Sequence, residues 1–415
     1  MLQETITIVL AGGAGSRLQP LTMHRAKPAV PFGGKYRIID FTLANCLHSG
    51  LRRVLVLTQY KSHSLQKHLR DGWSIFNPEL GEYITSVPAQ MREGEKWYQG
   101  TADAIWQNRY ILERSGAKYV LVLSGDHIYR MDYAAMLLAH QQKNAEVSIA
   151  CMEVKLADAR AFGVIGVDDN DRIVHFHEKP NLPTPLTKNP DYALVSMGVY
   201  VFSLSLLLQC LREDAENANS SHDFGKDLLP QLIYTHAVYG HRFGNATSRV
   251  SQDRYWRDVG TLDSYYEANM DLLKPVPPLD LYQVDWPIRT HELQVPPART
   301  VPGKSGDEGI SINSIMGGGT VISGACVQNS ILFPKVYVGD EALVEESILF
   351  EGVRIGANAK IRRVIIDKNV QVPAGVQLGY DQKLDERYFP RSEGGVIVVP
   401  KQFDFAAYLA DFNRR

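Results

Sequence analysis

A chain of 415 residues is too long for a single hydrophobic core, so two domains are expected. Its 44 basic and 46 acidic side chains leave a formal charge of -2, which argues against a nucleic-acid binder working by bulk attraction. Hydrophobic residues make up 45% and charged residues 22%, an ordinary globular balance with no apolar run long enough to span a bilayer.

The N-terminus lacks the basic flank and small-residue cleavage site of a secretion signal. The apolar run Thr5-Ile6-Thr7-Ile8-Val9-Leu10 reads instead as a first buried strand, broken by Ala11-Gly12-Gly13-Ala14-Gly15. Such a turn bares a row of backbone N–H groups, a ready anion cradle. Residues 21–40 that follow are basic and glycine-punctuated (Arg25, Lys27, Gly33-Gly34-Lys35, Arg37), so phosphate is the expected guest. Further buried strands are predicted at 54–58 and 119–124, the second ending in Gly125-Asp126. Ile105, Asn108, Arg109, Ile111 and Leu112 predict a helix over 102–113 with one buried side. This alternation predicts an α/β fold with a mostly parallel sheet and helices on both faces. Ligands then sit beyond the carboxyl ends of the strands, where both glycine turns lie.

Pro275, Pro277, Pro278, Pro287, Pro296, Pro297 and Pro302 mark an extended connector over 274–302. It separates a first domain, 1–273, from a second, 303–415. In the second, Ile322-Ser323-Gly324-Ala325, Val338-Gly339-Asp340, Ile355-Gly356-Ala357 and Val372-Pro373-Ala374 recur about 17 residues apart, the period of a parallel β-helix of six-residue rungs followed here by a tail. Open ends and faces of such a prism commonly pack in oligomers. Cys46, Cys151, Cys210 and Cys326 are scattered and read as reduced thiols of a cytoplasmic protein. Neither nucleic acid nor a membrane is expected as a partner.

Several motifs, taken in order, closely resemble bacterial ADP-glucose pyrophosphorylases (glucose-1-phosphate adenylyltransferases). They are Leu10-Ala11-Gly12-Gly13, the run from Arg25-Ala26-Lys27-Pro28 to Gly34-Lys35, Trp97-Tyr98-Gln99-Gly100-Thr101-Ala102-Asp103, Gly125-Asp126-His127, Glu178-Lys179-Pro180, Ser221-His222-Asp223-Phe224-Gly225-Lys226-Asp227 and Tyr255-Trp256-Arg257-Asp258. The resemblance covers nearly the whole chain. It implies a Rossmann-like nucleotidyltransferase domain followed by a left-handed parallel β-helix, usually in a homotetramer. The implied reaction transfers adenylate from ATP to glucose 1-phosphate and releases pyrophosphate, supplying ADP-glucose for glycogen synthesis.

The same resemblance implies the site. Leu10, Ala11, Gly12, Gly13, Gly15, Gln59, Trp97, Tyr98, Gly100 and Thr101 would lie around the nucleotide. The alternative for Trp97 and Tyr98 is that they simply cover the core. Arg17 would grip the β- and γ-phosphates, since a guanidinium binds phosphate oxygens bidentately, and Lys27 would add a point charge. Asp126 and Asp258 would hold Mg²⁺, which needs few carboxylates. Lys179 would take the phosphate of glucose 1-phosphate, with Glu178, Ser196, Tyr200, Asp223 and Phe224 on the sugar and Trp256 as a wall. His127 is not expected to be a general base: a sugar phosphate, with a second pKa of about 6, is already ionised. Direct in-line attack, driven by positioning and electrostatics, is the expected mechanism.

Two departures from the family pattern stand out. Ala14 replaces an arginine common in the glycine turn, which predicts weaker nucleotide affinity. His24 stands where some members carry an activator-binding lysine, although His24, Arg25, Arg37 and Arg391 could still form an allosteric site for anionic metabolites. Three other readings remain open at this point. A related enzyme could use UTP or dTTP. A regulatory subunit would be expected to have lost Arg17, Asp126, Lys179 or Asp258, and all four are present. A β-helix acyltransferase would need a solenoid histidine, and residues 311–379 contain none.

Overall fold

A computed structural model describes residues 1–90, 97–244, 250 and 254–414. By contact the chain forms two compact units. The first comprises Met1–Gly13, Phe41–Gly125 and Tyr129–Arg254; the second comprises Ala14–Asp40, Asp126–Ile128 and Tyr255–Arg415. Among the described residues, no helix is long and apolar enough to cross a membrane.

The first unit is built on a nine-stranded sheet. Thr5–Leu10 lies between Arg53–Thr58 and Tyr119–Ser124, parallel to both, and Tyr83–Pro88 extends the parallel run. These are the continuous apolar, β-branched segments that a doubly covered parallel sheet requires. Tyr192–Ser203 then runs antiparallel to Tyr119–Ser124, to Val147–Lys155 and to Gly163–Val167, and Ile173–Glu178 closes that edge. Its core gathers Ile6, Ile8, Leu55, Val120, Val122, Ile149 and Phe202 against the helices.

The helix expected over 102–113 is two short ones, Thr101–Trp106 and Arg109–Arg114. Asn108 breaks it. Its amide donates to the Ala104 carbonyl (2.8 Å) and to the Tyr98 hydroxyl (2.9 Å), and a side chain that engages the backbone in this way competes with a continuous helix.

In the second unit three five-stranded parallel sheets form a triangular prism, consistent with the left-handed β-helix. The stack Val327, Val344, Ile361, Leu378 fills one inner column and Ile322, Val338, Ile355, Val372 another, all buried. The first solenoid strand is Arg299–Val301, so the prism begins inside the stretch read as connector. The chain turns each corner with a left-handed residue, and the corners recur in columns such as Gly324, Glu341, Asn358, Gly375.

Candidate active site

In the second unit, the segment after the glycine turn is folded back on itself at Gly15. Its φ of +64° needs glycine, and an added Cβ would press within 3.2 Å of Thr22 and Lys27. The Thr22 hydroxyl donates to the Gly15 carbonyl at 2.7 Å, fixing the loop that presents Lys27. Asp126 and Asp258 are brought alongside because Trp256–Asp258 pairs with His127–Tyr129 in a short ladder. The Lys27 ammonium lies 2.7 Å from Asp126 Oδ2 and 3.0 Å from Asp258 Oδ1. Burial is the largest single influence on Lys27 and would lower its pKa, but the two carboxylates outweigh it and the pKa is raised. The Arg17 guanidinium approaches Gly260 beside the Asp258 carboxylate.

Asp126, His127 and Asp258 offer donor atoms within 4.8 Å of one another. The ammonium that bridges the two carboxylates marks a point where one cation touches both, and hard oxygen donors suit a hard divalent cation. These residues therefore fit a divalent metal. His127 packs edge-on against Trp256, with ring centroids 4.9 Å apart, and its Nε2 lies 3.5 Å from Asp126.

The first unit carries two further sets. At the carboxyl ends of its strands, Gly12 faces Gln59 and Tyr98, and a Cβ on Gly12 would come within 3.3 Å of Gln59. The Tyr98 N–H donates to Gln59 Oε1 at 3.0 Å. Gly13 is open, with nothing within 4 Å of an added Cβ. Tyr98 packs against the core, whereas Trp97 is 47% exposed and stacks on Tyr60, centroids 5.4 Å apart. Trp97 is therefore not a core cover.

The second set is the one expected around the sugar. Phe224 stacks on Tyr200 (5.7 Å, 20°), and Glu178 and Asp223 lie within electrostatic reach of the Tyr200 phenol. Burial raises that phenol's pKa, a hydrogen bond with Ser196 opposes the shift, and the hydroxyl stays neutral. The Asp223 carboxylate accepts from the N–H groups of Gly225 and Lys226 and so caps the turn Phe224–Leu228. Lys179 pairs with Glu178 at 3.0 Å and keeps its side chain 57% exposed. Trp256 belongs to the second unit, where its ring packs on His127.

A nucleotidyl transferase family model matches residues 6–275, and a GlmU-like C-terminal hexapeptide model matches residues 296–399. Glucose-1-phosphate adenylyltransferase 2 of Vibrio vulnificus strain YJ016 is 62% identical over 404 residues, covering 97% of this chain and 100% of its own. The protein of the same name from Vibrio cholerae serotype O1 is 59% identical over 405 residues, 98% of this chain and 100% of its own. Glucose-1-phosphate adenylyltransferase of Methylobacillus flagellatus is 47% identical over 400 residues, 96% of this chain and 94% of its own. The chain belongs to the glucose-1-phosphate adenylyltransferase family.

For a member of this family, the predicted allosteric residues are distributed unevenly. Arg25, only 5% exposed, holds Asp367 with Nη2 at 2.8 and 3.1 Å from its two oxygens, while Nη1 has no hydrogen-bond partner among the described residues. Arg37 donates to the Ala29 carbonyl, and burial followed by the Arg25 charge lowers its pKa. Two residues missed in the sequence join them: Lys368 and Glu351, paired at 2.9 Å. Burial and then the Arg37 charge push Lys368 down to about 8. Glu351 is also lowered: burial opposes this, but Lys368, Lys335 and Arg37 prevail. Burial leads the Lys368 shift and the Lys368 partner leads the lowering of Glu351, with the Arg37 charge adding to both. Arg391 is instead engaged by Glu386, and His24 is exposed.

Proposed function

We propose that the protein transfers the adenylyl group of ATP to glucose 1-phosphate, giving ADP-glucose and pyrophosphate, the committed step of bacterial glycogen synthesis. The observation that carries this reading is the convergence of Asp126 and Asp258 on one cationic point, with Lys27 at 2.7 and 3.0 Å and Arg17 beside Asp258. Asp126 and Asp258 would hold Mg²⁺, which when bound supplies charge neutralisation at the phosphates. Lys27 stays charged because its carboxylates hold its proton, so it can exchange partners toward a phosphate without losing it. Arg17 balances charge on the departing pyrophosphate. Lys179 takes the phosphate of glucose 1-phosphate; Glu178, Ser196, Tyr200, Asp223 and Phe224 take the ring, and Trp256 walls it.

A phosphate oxygen of glucose 1-phosphate forms the new bond to the α-phosphorus. The bond to the α–β bridging oxygen breaks, and its electron pair leaves with pyrophosphate. No base is required, because the nucleophile is already ionised. The enzyme acts as a cytoplasmic homotetramer and responds to anionic metabolites through the Arg25–Arg37 cluster. The test is pyrophosphate release with glucose 1-phosphate and each nucleoside triphosphate, with and without Mg²⁺. Turnover with ATP and Mg²⁺, inverting a chiral α-phosphorus, is expected. Failure with every triphosphate, or retention at phosphorus, rejects the reading.

A further inference from the structure

The sugar-side and nucleotide-side motifs of the first unit are joined by a corner that neither motif explains. Asp214, near the end of the helix Leu204–Glu216, uses both carboxylate oxygens. One accepts from the Ser220 hydroxyl at 2.6 Å and the other lies 2.8 Å from His222 Nδ1. A carboxylate only accepts, so Nδ1 is the donor. Ser220 Oγ also accepts the His222 N–H at 2.9 Å, which holds His222 by backbone and ring together.

This grip keeps His222 at a φ of +55°, in the left-handed region that a side chain rarely adopts. The consequence is where its carbonyl points. It accepts the Ala102 N–H at 2.8 Å. Gly100 lies so close that an added Cβ would sit 2.2 Å from the His222 oxygen and 2.5 Å from the Ser221 oxygen. Next to it the Thr101 hydroxyl donates to Asp223 Oδ2 (3.2 Å) and accepts from the Phe224 N–H (3.0 Å). Asp227 adds a strut from below, accepting from the Ser221 hydroxyl and the Asp223 N–H. Residues 100–102 and 222–224 are thereby zipped together.

We propose that Asp214 and His222 are positioning residues, a latch that fixes the Gly100–Thr101 nucleotide segment to the Asp223–Phe224 sugar segment so that each substrate favours binding of the other. This rests on the proposed function, which assigns those two segments to ATP and glucose 1-phosphate. Neither latch residue touches substrate. Their effect is on coupling: when one substrate orders its segment, the zipped partner is ordered with it, and the second substrate binds a segment already in place.

The test is calorimetric titration of glucose 1-phosphate, with Mg²⁺, in the absence and presence of an ATP analogue carrying a methylene between the α and β phosphorus atoms. The wild type should bind glucose 1-phosphate about fivefold or more tighter with the analogue present. His222→Ala should bring that ratio close to one. His222→Asn should retain it, since asparagine tolerates the left-handed region and its amide can donate to Asp214. Should His222→Ala show no cooperative melting transition, Asp214→Ala, which leaves residue 222 intact, carries the same expectation. Binding of neither ligand by the wild type overturns the functional reading and the latch with it. Binding of both without coupling, or with coupling that survives in His222→Ala and Asp214→Ala, overturns the latch alone.

Discussion

Two lysines of the second unit stand in opposite electrostatic surroundings, and each makes a prediction. Lys27 is flanked by Asp126 and Asp258, and its raised pKa keeps it charged up to strongly alkaline pH. Asp126→Asn removes one of the two carboxylates proposed for Mg²⁺ while leaving Asp258 to balance Lys27. Turnover should fall roughly 10²–10³-fold, the usual cost of losing a charge-stabilising group at a phosphoryl centre. Because Asp126 is partly exposed and Lys27 keeps a partner, the melting curve should stay close to wild type. Pyrophosphate release and a thermal melt on the same preparation decide this, and near-normal kcat would remove Asp126 from the mechanism. Lys368 is the reverse case. Its pKa falls to about 8, chiefly through burial and then the Arg37 charge. The unfolded chain, at about 10.4, binds the proton more tightly, so the charged form works against folding below pH 8 and the native state gains stability from pH 8 to 10. The gain is bounded at about 3 kcal/mol by the size of the shift. Denaturant melts of wild type and Lys368→Met should therefore diverge across that window, the wild type rising relative to the variant; parallel curves would deny the depressed pKa.

The solenoid corners show what an element costs when its sequence is not ideal. In the column Gly324, Glu341, Asn358, Gly375 every residue is left-handed, and three of the four are types that tolerate it. Glu341, with φ +57° and an exposed side chain, is the exception. Glu341→Asn keeps the corner with a residue that tolerates the left-handed backbone better, and should stabilise the protein by about 1 kcal/mol. A urea titration measures it, and an unchanged midpoint would mean the corner is unstrained. This column also shows what the sequence makes legible. The repeat was readable because each rung places an aliphatic residue inward at a fixed period, a local signal repeated many times. The buried strands of the sheet were legible for the same reason, since each lies in a short apolar, β-branched run; Tyr200, Asp223 and Phe224 entered only through the resemblance to a family, because no local pattern marks a sugar contact. The break at Asn108 was not, because it depends on a tyrosine ten residues away rather than on helical periodicity. Lys368 and Glu351 left no trace either: their meaning comes from Arg37, on a distant part of the chain.

Chain order and contact divide the molecule differently, and the difference has a measurable consequence. Family models match residues 6–275 and 296–399. By contact, however, Ala14–Asp40 belongs with the solenoid residues, in one unit with Tyr255–Arg415. The clearest tie inside that unit is the buried pair Arg25–Asp367, spanning 342 positions of sequence. A buried charge stripped of its partner is destabilising by about 3–5 kcal/mol, whereas the intact pair is worth far less. Asp367→Ala should thus cost about that much in a denaturant melt, with Arg25 left unpaired among Arg37 and Lys368. The double variant Arg25→Met/Asp367→Leu should recover most of it, because both charges leave the interior together. Cutting the chain after residue 302 makes the same error on a larger scale, removing Asp367 and the rungs beneath Phe350, over whose ring Arg25 lies. That fragment retains Lys27, Asp126 and Asp258, so a chain-order view expects a folded, metal-binding catalytic domain. The contact view expects Ala14–Asp40 to lose its packing and the Lys27 geometry with it. Cooperative melting of the 1–302 fragment, with Mn²⁺ affinity equal to that of the full chain, would show that the loop carrying Lys27 needs no solenoid; a broad transition and lost affinity would show that the catalytic cations are held from the β-helix side.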